Sequence, residues 1–272
     1  MKQRIVRGWK MSIKHFYIVI LLFLYQLLCG FFLYRFVDSI VVPLLKRYPD
    51  TLQSQSTVHL FITEAQFQLM KTDILHPYLW TLGILFGIRM LMTPLINAGL
   101  FYSLRNATDE GGTRFFEGIR RAWKPVTLLY WITLLLIAAP GWWLLPRGFH
   151  ILTQYGLSGL LSTNMLLWAG GWLIWIIVVH LLFLGMQFGA VAGVSLMSSL
   201  SQTLSRLAPL AAITVTMWAI GILIGLTVST VSYIWAGLLA LVLHQGYHLI
   251  RTLVKVWTTA SQYETWQAGS DS

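Results

Sequence analysis

The chain has 272 residues, 57% of them hydrophobic and only 10% charged. A water-facing globular surface uses about 25% charged residues, so this composition excludes an ordinary soluble domain and points to lipid as the surroundings. The net charge of +10 comes with no zinc-finger spacing and no separate basic domain, which argues against a nucleic-acid partner.

Lys2, Arg4, Arg7, Lys10 and Lys14 precede a first apolar run. That run is longer than a signal-peptide core and no small-x-small cleavage site follows, so it reads as an uncleaved helix. Cys29, the single cysteine, lies within it and cannot form an internal disulfide. With about 20 apolar residues per crossing, hydropathy predicts six spans, at 15–37, 78–101, 125–145, 166–186, 209–229 and 233–253. The expected fold is all-α, a single polytopic membrane domain over 1–272. Amphipathic stretches are expected in the outer segment 38–76, and in two segments on the opposite face, 103–124 and 187–208. Within the outer segment, Val58, Phe61, Ile62, Ala65, Leu69 and Met70 recur at helical spacing, which predicts a surface helix.

Lysine and arginine set the expected orientation. The N-terminal stretch, Arg105, Arg114, Arg120, Arg121, Lys124, Arg206, Arg251 and Lys255 fall on one side. Arg35, Lys46, Arg47, Lys71 and Arg147 fall on the other. The richer side predicts a cell-membrane protein with both termini in the cytoplasm. Trp80, Trp123, Trp142, Trp143, Trp168 and Trp257 stand near span ends, as interfacial anchors do.

Arg114, Phe115, Phe116, Arg120, Arg121 and Trp123 combine apolar and basic side chains on one predicted helical stretch. That pairing predicts contact with an anionic inner leaflet or with a protein partner. A repeat is visible: Ile119 to Pro125 opens the third span much as Leu204 to Pro209 opens the fifth, which predicts a duplicated helix–amphipathic segment–helix unit. Pro94 and Pro140 are expected to kink their helices, or Pro140-Gly141 to end the third span early.

The residues Pro94 to Tyr102, then Phe115 to Ile119, and the second unit from Gly185 to Pro209 carry a resemblance. The pattern is similar to the membrane domain attached to some bacterial glycerophosphodiester phosphodiesterases and to related six-helix bacterial families of unknown function. The resemblance implies a membrane module without the phosphodiesterase catalytic domain, because no soluble stretch is long enough to hold one, and it carries over no catalytic residue.

Few side chains suit chemistry. Arg89 falls near the middle of the second span, where a charge costs about 2.5–3.5 kcal/mol and should face the bundle or water. Asn97, His180 and an anionic group are its candidate partners, so Arg89, Asn97 and His180 form the expected ligand-binding set. His244 and His248 share a helix face at metal-ligand spacing, but Gln245 stands where a zinc-protease glutamate would, and no resident metal or other cofactor is expected. Gly83 and Gly87, then Gly185, Gly189 and Gly193, and then Gly221 and Gly225 are spaced for close helix packing. Ser195, Ser198, Ser199 and Ser201 lack a nucleophile-elbow context, and no phosphate-binding glycine loop is present. The expectation is a non-enzymatic multi-pass membrane protein, accessory to transport, envelope assembly or signalling. The alternatives are a permease subunit with a separate energy-supplying partner and an intramembrane lipid-acting enzyme.

Overall fold

The computed structural model describes residues 2–46, 72–106, 114–160, 163–234 and 238–268. Among these residues the protein is all-α: α1 (Lys2–Lys14), α2 (Phe16–Lys46), α3 (Thr72–Arg105), α4 (Arg114–Leu160), α5 (Thr163–Ala192), α6 (Leu196–Ser205), α7 (Leu207–Ile234) and α8 (Leu238–Gln267). The surface helix expected at 57–75 and most of the outer segment lie outside the described residues.

Among the described residues, five stretches are long and apolar enough to cross a membrane: Phe16–Ser39, Trp80–Arg105, Arg114–Ile151, Met165–Ala192 and Leu207–Ile234. Residues 238–253 of the sixth expected span are helical too, within α8, but His244, Gln245, His248 and Arg251 dilute their apolar character.

The chain forms two compact units, one of residues 1–21 and 94–272 and the other of 22–93. In the first unit the buried side chains gather at the end where the basic residues concentrate. Phe188 of α5 packs edge-on against Phe101 of α3 (4.9 Å between ring centres) and against Tyr263 of α8 (5.3 Å). Trp266 closes the cluster at 6.1 Å from Phe188. Such edge-to-face pairs contribute about 0.5–1.5 kcal/mol each beyond burial.

The basic N-terminal stretch is itself a helix. Ile5, Gly8, Trp9 and Ser12 fall on one side of α1, and that side lies along α8. Trp257 Nε1 donates to the Ile5 carbonyl at 2.8 Å, and the Trp9 and Trp257 rings meet edge-to-face at 4.8 Å. Gly8 is buried with only enough room for a hydrogen: an added Cβ would stand 2.9 Å from Ser261 Cα. Helix α8 therefore does not stop at the predicted 253. Val256, Ala260, Tyr263 and Trp266 continue a buried stripe at helical spacing along its last turns.

The α5–α6 turn follows from local chemistry. Gly193 has φ +75°, and Val194 N–H donates to the Gly189 carbonyl at 3.0 Å, a helix end that needs a residue tolerant of the left-handed region. Ser195 then caps α6 through its hydroxyl, which accepts from Ser198 N–H. The reversed chain lays α6 on α5 so closely that Gly185 faces Thr203 and Gly189 faces Ser199. Helices α7 and α8 run antiparallel, with Gly221 near Val254, Gly225 near Tyr247, and Gln262 Nε2 donating to Thr214 Oγ1 at 2.9 Å. Gly83, Gly87 and Gly193 differ from the other predicted packing glycines: among the described residues nothing lies within 4 Å of where their Cβ would be.

Parts of the expected amphipathic stretch 103–124 are continuous with the flanking long helices, since α3 runs on to Arg105 and α4 continues unbroken from Arg114 through Pro125. Its counterpart at 187–208 does contain a short separate helix, α6. The third span does not end at Pro140-Gly141. Proline removes the amide that would bond the Leu136 carbonyl, and Trp175 of α5 donates its indole N–H to that carbonyl at 3.0 Å. Trp172 does the same for the Ile137 carbonyl at 3.0 Å, its ring seated against the bare α-carbon of Gly141. A carbonyl left open in an apolar medium is costly, and these two indoles let α4 pass through the proline to Leu160.

The second unit contains Cys29, half-buried, and Arg89, exposed on α3, whose carbonyl accepts from Thr93 Oγ1 at 2.6 Å. Leu24, Leu28, Phe31, Trp80, Ile84 and Phe86 are exposed there, as befits apolar surface turned to lipid.

The tryptophan–proline pairing yields a thermodynamic cycle. Trp175→Phe is expected to lower stability by about 1–2 kcal/mol through the unmet Leu136 carbonyl. In a Pro140→Ala background, where an amide returns to bond Leu136, the same change is expected to cost clearly less. Thermal unfolding of the four proteins in detergent measures the coupling; equal losses in both backgrounds would refute the assignment.

Candidate functional site

A cleft of about 330 Å³ opens at the basic end of the first unit, lined by Tyr102, Arg105, Asn106, Arg121, Ala122, Pro125, Ala190 and Val191. Three elements build it. The end of α3 supplies Tyr102, Arg105 and Asn106. The early turns of α4 supply Arg121, Ala122 and Pro125, and the last turns of α5 supply Ala190 and Val191.

The arginines are held in place. Arg105 Nη1 donates to the Val191 carbonyl at 2.7 Å, across from α3 to the frayed end of α5. Arg121 Nη2 pairs with Glu117 Oε1 at 2.9 Å, one helical turn earlier. Tyr102 hydroxyl stands 3.5 Å from both Glu117 Oε1 and Arg121 Nη1. The tyrosine is placed by Gly118, whose missing side chain leaves room for Tyr102 Cβ. The Arg121–Glu117 pair is largely exposed and adds little stability. Its effect is positional: it fixes a guanidinium that still has N–H groups to offer. Pro125 contributes by omission, because it has no amide for the Arg121 carbonyl four residues earlier. One acceptor thus stands beside the guanidinium donors.

Below the cleft lies the aromatic cluster. Burial pushes the Tyr263 phenol above its ordinary value. The nearby Arg105 works the other way and Glu264 adds to the rise.

The residues singled out in the sequence distribute differently. Arg121 lines the cleft, and Arg120 is exposed one position away. Phe116 and Trp123 are exposed on α4, with Lys124 Nζ 5.8 Å from the Trp123 ring. Phe115 is corrected: at 2% exposure it is packed beneath Gly99 of α3 and offers no surface to leaflet or partner. Arg114 is half-buried at the start of α4. Arg89, Asn97 and His180 do not join the cleft. Arg89 belongs to the second unit, whereas Asn97 is half-buried on α3 and His180 exposed on α5, both in the first. His248 is exposed, the His244 side chain lies outside the described residues, and no metal-competent cluster of His, Cys, Asp or Glu exists among the described residues.

Tyr102, Arg105, Asn106 and Pro125 are cleft residues that sequence reasoning did not assign to a site. The usable signal was Gly118, three residues before Arg121 in a stretch otherwise rich in bulky side chains. Compared with known proteins, the chain matches no family model, no curated protein and no solved structure.

The Tyr263 shift has a definite sign. A phenol whose folded value is raised above the ordinary 10.0 contributes stability that is whole below that pH and is lost as pH rises through the folded value. Thermal unfolding in detergent should therefore fall off above about pH 10, and Tyr263→Phe should remove that part of the alkaline decline.

Proposed function

We propose that this chain is a non-enzymatic, six-span cell-membrane protein that binds an anionic ligand at its cytoplasmic end, as an accessory to transport, envelope assembly or signalling. The observation that carries the reading is the cleft. Its lining offers guanidinium and amide donors, with Arg105 held by the Val191 carbonyl and Arg121 by Glu117. The nearest carboxylate, Glu117, is already engaged by Arg121 and Tyr102. Such a site is suited to hold negative charge rather than to break a bond.

The span count draws support from the termini. The hydrogen bond between Ile5 and Trp257 supports an even number of crossings, with both of these residues on one side. An even count is reached when α8 crosses as well, antiparallel to α7, in spite of its polar residues. The basic surplus at that end favours the cytoplasm for it. Exposed Phe116 and Trp123, with Arg120 and Lys124 beside them, suit the boundary with an anionic leaflet.

Fusing a fluorescent protein, and separately a periplasm-dependent phosphatase, to each terminus tests this topology. Both termini should give fluorescence and neither should give phosphatase activity. Opposite results at the two ends would overturn the six-span reading.

A further inference from the structure

We infer that the cleft holds the phosphate of one anionic phospholipid, with its acyl chains running along α4. This deepens the proposed function and rests on the membrane reading given there. Arg121 and Pro125 share a face of α4 with Leu128, Ile132 and Leu135, since all five recur at helical spacing. Leu128 is 61% exposed, Ile132 37% and Leu135 66%. The basic cleft therefore opens at one end of an uncovered apolar stripe. From Pro125 to Leu135 the helix rises about 15 Å, and half of a hydrocarbon core of about 30 Å is the same depth. A ligand placed with its phosphate at Arg105 and Arg121 would have that length of apolar surface directly beside it.

The charge balance selects the ligand further. Arg105 and Arg121, less Glu117, leave one positive charge at the site. One phosphodiester anion neutralises it. The donors left on the two guanidiniums and the Asn106 amide are of the kind that bind phosphate oxygens. The Arg121 carbonyl freed by Pro125 accepts from a headgroup hydroxyl. A volume of about 330 Å³ admits a phosphate with a small polyol headgroup and leaves the acyl chains outside. The match is to an acidic, hydroxyl-bearing phosphodiester lipid.

The test uses the full chain purified in mild detergent. Native mass spectrometry would score binding of phosphatidylglycerol, phosphatidylcholine and inorganic phosphate. One phosphatidylglycerol should bind per chain, at least about tenfold more tightly than phosphatidylcholine. The pair Arg105→Gln and Arg121→Gln should weaken it by about tenfold or more. Ala190→Phe, which fills the cleft without removing charge, should do likewise. Lys10→Gln, exposed on α1 and outside the cleft, should stay within about twofold, and a monodisperse elution profile certifies each variant as folded. Leu128→Ser with Leu135→Ser should weaken lipid binding through the stripe alone. Phosphatidylglycerol affinity unchanged in both the arginine pair and Ala190→Phe overturns the inference. Inorganic phosphate competing fully at equal concentration overturns the lipid assignment in favour of a soluble phosphate. A protein that leaves membranes on alkaline washing without detergent overturns the underlying membrane reading; one that needs detergent but shows unchanged binding overturns only the lipid site.

Discussion

The ring of Phe188 touches Phe101, Tyr263 and Trp266, so α3, α5 and α8 meet on a single side chain. The cleft depends on that meeting. Arg105 leaves α3 one turn after Phe101 and reaches the carbonyl of Val191, three residues beyond Phe188. If the rings did not hold α3 and α5 together, that hydrogen bond would have no fixed length and the two arginines no fixed separation. Small residues do the complementary work. Gly185, Gly189, Gly8 and Gly118 bring backbones close enough for the aromatics to interlock. Bulk at the centre and its absence around it are parts of one packing solution.

Cohesion is uneven along the spans of the first unit. Phe101, Phe188, Leu210, Ile213, Met217 and Val256 are almost fully buried near the basic end. Trp142, Phe149, Leu167, Ile222 and Tyr233 are exposed toward the other. The described contacts there include indole to carbonyl at Trp172 and Trp175, the Trp143 and Trp168 rings 5.1 Å apart, and the Arg147 guanidinium stacked 3.5 Å over the Trp143 ring. In lipid this division is stable, since apolar side chains need no protein partner and only backbone groups must be satisfied.

Much of the helical framework was legible in the sequence, because hydropathy registers a property each residue carries alone. The five apolar helices and the glycine contacts at Gly185, Gly189, Gly221 and Gly225 follow from local pattern. What escaped is non-local. Pro140 reads as a stop until Trp175 is known to supply the missing donor from another helix. The basic N-terminal stretch reads as an orientation signal until Trp257 is placed against Ile5. The site was only half visible. Arg105 and Arg121 were counted as charges, while Arg89 drew attention by being uncompensated. Recognising a cleft required knowing that Tyr102 occupies the space left by Gly118, which is a fact about two helices rather than one.

The contact between Trp257 and Ile5 spans 252 positions of sequence, and this has a consequence for biosynthesis. Chains grow at about 5–20 residues per second, so α1 is made roughly 10–50 s before its partner surface on α8 exists. During that interval its polar and basic side chains have no protein face to cover its apolar stripe. A cationic amphipathic helix in that state rests on an anionic membrane surface. Assembly of the basic end therefore waits on the synthesis of α8, because the surface that covers Ile5, Gly8 and Trp9 is built from Trp257 and Ser261.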